Sequence, residues 1–208
     1  MSSKSAAMDK LLIYYDFETT GLAEPIKVVQ IGALADNSEA FSVYILPDKP
    51  IEKGASNVNR LYVDDTGRLM KMNSEGEDSA LNTEGLREGM TKFAEFIQKQ
   101  GYQCILIGHN IAKYDNPILR AEAQRVNLLQ TFQGLVYGYI DTLEVFHYER
   151  PGLKSYKQSE LVNYYLGRGY DAHEAVADVT ILKDLIDKEF KDKSVLEKHI
   201  HRGIERAD

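Results

Sequence analysis

Only one cysteine, Cys104, occurs in the 208 residues. It sits in an apolar run without a partner, so the chain can build neither an internal disulfide nor a thiolate metal site. A reducing intracellular setting, cytoplasmic or nuclear, is the expectation. Long apolar runs are missing too. Nothing approaches the roughly 20 apolar residues that cross a bilayer, and the opening MSSKSAAMDK has no apolar core to act as a secretory signal. No membrane partner is expected. Positive charge is also short: 25 Lys and Arg stand against 32 Asp and Glu, a formal net charge of −7. That argues against a protein that coats nucleic acid regardless of sequence, because such binding is mostly phosphate neutralisation. Gripping only a strand end through metal ions is compatible with it.

What is present is an ordinary globular composition, 43% hydrophobic and 27% charged, sized for one compact domain. Residues 11–16 (LLIYYD), 26–35 and 39–46 (with FSVYIL) are β-rich and predict a three-stranded antiparallel start. The stretch 47–82 is polar and rich in Gly, Asn, Asp and Ser, and reads as a long loop with at most short helical turns. Leu86, Met90, Phe93, Phe96 and Ile97 recur at helical spacing over 84–100, with Thr83 placed as a cap. CILIG reads as a buried strand, Pro117 starts a helix, and 135–141 returns as a strand. Helices near 155–166 and 174–190 follow. Strands first, then alternating helix and strand, predict an α/β protein with a mixed sheet flanked by helices. The expected division is a flexible N-terminus at 1–10, the main domain at 11–190 and a helical extension at 191–208.

Asp16 and Glu18 close the first strand, and residues two apart on a strand point to one face. Like charges held together call for a cation, and hard oxygen ligands suit magnesium or manganese. Asp115, between GHNIAKY and Pro117, reads by itself as a helix cap. His173 and Asp178 would lie about 140° apart on one continuous helix. If they share a site, His173 belongs in the loop 169–172 just before the helix. Read singly, the histidine and the aspartate also fit a solvated surface.

Taken together, D-F-E-T-T-G at 16–21, H-N-I-A-K-Y-D at 109–115 and H-E-A-V-A-D at 173–178 resemble the three motifs of the DEDDh exonuclease family. K-S-Y at 154–156 and the K-Y-D ending of the second motif make the animal three-prime repair exonucleases the nearest likeness, with the bacterial proofreading subunit more distant. The proline-rich insertion and long hydrophobic tail of some of those relatives are absent here. The resemblance implies an RNase H-like fold with antiparallel first strands and a 3′–5′ exonuclease acting on DNA ends. Asp16, Glu18, Asp115 and Asp178 would hold two Mg²⁺ ions, with Mn²⁺ able to substitute, and His173 would act as general base. A histidine with the usual pKa of about 6.5 can take a proton from water at neutral pH. Tyr114 would bond the scissile phosphate, the backbone of Thr19 would meet the terminal sugar hydroxyl, and Leu22 would wedge against the last base. By analogy, 39–46 offers an edge strand for a homodimer. His109 reads as packed, Asn110 as ordering its turn, and Asp141 as a strand-end carboxylate without an assigned role. Competing readings are an RNA-trimming enzyme of the same family and a catalytically silent protein that binds nucleic-acid ends.

Overall fold

Strand β1 (Leu12–Thr19) is the axis of the fold, and its alternation sets what lies on either side. Ile13, Tyr15 and Phe17 face one core and Leu12 and Tyr14 face the other, as a centrally placed strand requires. The computed structural model describes residues 10–101, 103–170 and 172–204. The expected flexible N-terminus lies outside them except for Lys10.

Antiparallel pairing continues from β1 to β2 (Val28–Ala35) and from β2 to β3 (Ala40–Ile45). The chain then departs from the expected loop. Over 53–80 it forms helix α1 (Lys53–Asn59) and a small antiparallel sheet of β4 (Leu61–Val63), β5 (Leu69–Lys71) and β6 (Ser79–Ala80). Leu61 and Leu69 pack on Val29 of β2, and strands of two or three residues are too short to announce themselves by periodicity. Thr83 is not a helix cap either. With Glu84 it forms β7 (Thr83–Glu84) beside Tyr44 and Ile45, leaving Gly85 to cap α2 (Leu86–Gln100).

The second half alternates as the sequence predicts. β8 (Cys104–Gly108), α3 (Asp115–Arg125), α4 (Leu129–Leu135) and β9 (Val136–Asp141) are followed by α5 (Thr142–Glu149), α6 (Gln158–Leu166) and α7 (Ala175–Glu189). β8 and β9 run parallel to β1. Within the expected helical extension, residues 193–199 form a 3-10 helix, and β10 (His201–Arg202) then pairs with β9 at the sheet's far edge. The resulting mixed sheet has seven strands in the order β10-β9-β8-β1-β2-β3-β7. Helices α2 to α4 cover one face, and α5 to α7 cover the other.

Among the described residues no helix is long and apolar enough to cross a membrane. The outer side of β3 is paired by β7 only at Tyr44 and Ile45.

Candidate functional site

The even residues of β1 face α7, so Asp16 and Glu18 emerge on the side where that helix begins. Gly32 of β2 stands opposite Asp16. A Cβ at Gly32 would lie 2.5 Å from the carbonyl carbon of Ala175, so the glycine lets the start of α7 press against the sheet. Asp178, in the first turn of α7, is thereby carried to the end of β1. One carboxylate oxygen from each of Asp16, Glu18 and Asp178 lies within 4.8 Å of the other two.

Asp115 joins from the other side. Tyr114, not Asp115, occupies the cap position of α3, and the Asp115 carboxylate instead accepts a hydrogen bond from the Phe17 N–H at 3.1 Å. The cap that the sequence predicts for this residue in isolation is not formed; the carboxylate is turned toward β1 because it ends the loop that follows the adjacent strand β8. All four carboxylates line one open cleft of ≈ 1110 Å³.

Burial of these acids has an electrostatic signature. Desolvation, then the neighbouring Asp115 and Glu18, push the Asp16 carboxyl well above the usual range. Glu18 is pushed up to about 8 by burial and by Asp178, and burial raises Asp115 to about 7. Asp178 is raised by burial although hydrogen bonds oppose it. Acids so placed either keep protons or take up a cation. All-oxygen donors at this spacing fit a hard divalent ion.

Asp178 is held by donors that motif spacing does not reveal. The Tyr170 hydroxyl donates to Oδ1 at 2.7 Å, Gln158 Nε2 donates to the same oxygen at 3.3 Å, and the backbone N–H of His173 donates to Oδ2 at 2.7 Å. His173 is therefore outside α7, with a positive φ of 72°, and its side chain is exposed on the cleft. Asp171 lies outside the described residues. Glu174 caps α7 through the Ala177 N–H and receives Gln30 Nε2 at 2.6 Å.

The opposite lip is built from the turn after β1. Thr19 Oγ1 and Tyr114 Oη are 2.8 Å apart, and Leu22 projects from the lip with 77% of its surface exposed. Helix α1 props this turn. Glu52 accepts from the N–H groups of Leu22 at 3.4 Å and Ala23 at 3.0 Å, its own N–H donates to the Thr20 carbonyl, and Asn59 Nδ2 donates to the Thr19 carbonyl at 3.3 Å. Gly21 has φ +139°, and a Cβ there would sit 2.2 Å from the Glu52 carboxyl carbon. No periodicity or spacing marks Glu52, Asn59, Gln158 or Tyr170 in the sequence.

The remaining singled-out residues are structural. His109 is half-buried, held between Thr142 Oγ1 at 2.9 Å and the Tyr156 carbonyl at 2.8 Å, and desolvation lowers its pKa. Asn110, at φ 65°, turns the chain. Asp141 acquires a role: it caps α5 through the Leu143 N–H and also accepts from the N–H groups of Asn110 and Ala112. It therefore locks the loop between β8 and α3 that delivers Asp115.

A family model described as RNase_T, Exonuclease, matches residues 13–186. No curated protein matches the chain. Among solved structures, the chain is similar to a zinc-bound E. coli exonuclease I complex with single-stranded DNA, with a TM-score of 0.71 and 16% identity over 91% of this chain and 42% of that one. It is likewise similar to E. coli exonuclease I in complex with a dA16 oligonucleotide, with a TM-score of 0.69 and 17% identity over 91% of this chain and 42% of that one. The chain thus spans less than half the length of these structures, and at such identity the likeness is one of fold.

Proposed function

The chain belongs to the RNase_T exonuclease family, and on that premise we propose that it is a magnesium-dependent 3′–5′ exonuclease that removes nucleoside 5′-monophosphates from DNA ends. The observation that carries this reading is the convergence of Asp16, Glu18 and Asp178 within 4.8 Å, beside Asp115 in one cleft. The three motifs favour the DEDDh branch, and K-S-Y at 154–156 favours its three-prime repair members. The single-stranded DNA held by the similar exonuclease I structures supports DNA over RNA.

In this proposal Asp16, Glu18, Asp115 and Asp178 hold two Mg²⁺ ions, and Mn²⁺ substitutes. When bound, such ions neutralise the converging carboxylates and stabilise charge developing on the phosphate oxygens. His173, exposed beside Asp178, takes the proton of the attacking water. The water oxygen bonds to phosphorus as the bond from phosphorus to the preceding 3′ oxygen breaks, and that oxygen takes a proton from solvent to leave a new 3′ hydroxyl on the shortened strand. Tyr114 bonds the scissile phosphate, Leu22 stacks on the terminal base, and the backbone of Thr19 meets the sugar hydroxyl. Glu52 and Asn59 keep that turn in place. Two chains pair through the partly covered edge of β3, and the protein works in the cytoplasm or nucleus.

Incubation of 5′-labelled single-stranded DNA with the protein and magnesium should give a ladder shortened one nucleotide at a time. Chelator or a blocked 3′ hydroxyl should abolish it, and matched RNA should be cut more slowly. Internal fragments without a ladder would contradict the proposal.

A further inference from the structure

The cleft does not end at the carboxylates. A side groove of ≈ 390 Å³ opens from it and shares Asn110, Leu143 and His147 with it. It continues past Lys113 to Tyr148 at the end of α5. Its acids offer a ligand little: Asp141 is engaged by three backbone N–H groups, and Glu144 bonds His201 at 2.9 Å.

Its other side chains are of the opposite character. Tyr148 is 70% exposed, with Lys198 4.9 Å above its ring. His147 stacks on Tyr156 with centroids 3.7 Å apart, forming a flat aromatic wall where groove and cleft join. Lys113 in the groove, and Lys157 in the adjoining cleft, have no ion-pair partner among the described residues. Unpaired ammonium groups and an exposed ring beside a cleft are notable in a chain of net charge −7, because scattered acids would ordinarily engage such lysines.

We propose that this groove is a track for a single strand of nucleic acid, upstream of the end held in the cleft. Tyr148 stacks on one unpaired base and Lys113 meets a backbone phosphate. Interleaved aromatic rings and cations are how single strands are gripped without sequence readout. A duplex fits poorly, since its base faces are already stacked on one another. Asn110, Leu143 and His147 line both the groove and the cleft that holds Thr19 and Leu22, so a strand whose last nucleotide rests in the cleft can continue past them into the groove. The inference rests on the proposed nuclease reading of the cleft and names the form of substrate it takes.

The test is binding of fluorescent single-stranded DNA of 3, 6 and 12 nucleotides to wild type, Tyr148→Ala, Tyr148→Phe and Lys113→Ala, in calcium to suppress turnover. Loss from Tyr148→Ala should grow with length and reach about tenfold for the longest strand, as expected for one stacked base. Tyr148→Phe should restore it, and the Lys113→Ala loss should fade with added salt. A loss independent of length, or none, would overturn the track. Magnesium-dependent cleavage of the trinucleotide by wild type reads the cleft separately. Its absence together with length-dependent binding would refute the nuclease reading and leave the groove standing.

Discussion

The Tyr170 hydroxyl donates to Asp178 Oδ1 at 2.7 Å while the chain that follows it returns to the same carboxylate, the His173 N–H bonding Oδ2. One side chain thus joins the histidine's backbone to a carboxylate that, in the proposed function, holds metal. Tyr170→Phe, which removes only the donor, should weaken apparent magnesium affinity and activity by about 10- to 100-fold, the usual effect of losing an outer-shell partner. Magnesium titration of single-turnover rates checks this. An unchanged half-saturation point would count against it.

Removing a charge from the cluster should separate function from folding. Asp16→Asn and Asp178→Asn should abolish cleavage, since each takes away a proposed ligand. In chelator their melting temperatures should equal or exceed that of wild type, because a partly buried, mutually repelling carboxylate has been neutralised. A large drop would mark these residues as structural.

The same burial predicts a pH dependence in the metal-free protein. Glu18 rises from 4.5 to about 8 on folding, so between those values the folded state keeps a proton that the unfolded chain releases. The stability this contributes is fully present below about 4.5 and is lost as pH rises through about 8. Chemical unfolding in chelator should show stability falling across that window, and Glu18→Gln should flatten the fall. Stability that rises with pH there, and does so equally in Glu18→Gln, would contradict the buried-acid picture.

Gly32→Ala tests how the site is assembled. The added methyl would meet Ala175 at 2.5 to 2.6 Å, backbone included, so α7 must shift. A cost of about 1–3 kcal/mol is expected, typical of overpacking, with a fall in activity as Asp178 moves. Urea unfolding and magnesium-dependent turnover read the two effects. Full retention of both would show that α7 can be placed without the glycine.

The parts legible in the sequence are those whose signal is local and repeated. The period-two alternation of β1 placed Asp16 and Glu18 together, and the angular mismatch between His173 and Asp178 put the histidine outside the helix, where it lies. Segments built on tertiary contact were not legible. The strands of 61–80 owe their existence to Leu61 and Leu69 meeting Val29, and Thr83 becomes extended because β3 offers it an edge. Asp115 resembled a cap because its partner, the Phe17 N–H, is 98 residues away. Tyr170, Gln158, Glu52 and Asn59 carry no sequence signal for the same reason, as each acts on a group that only the fold brings near.

The division of labour between carboxylates and histidine is tested most directly by calorimetric magnesium binding to wild type, Asp16→Asn and His173→Ala, with single-turnover rates on the same preparations. His173→Ala should keep magnesium affinity within about threefold of wild type, yet lose about 10²–10⁴-fold in rate, the range for a general base. Asp16→Asn should lose both. Magnesium affinity lost as severely in His173→Ala as in Asp16→Asn would make His173 a ligand, and the assignment of four holding carboxylates and one base would be wrong.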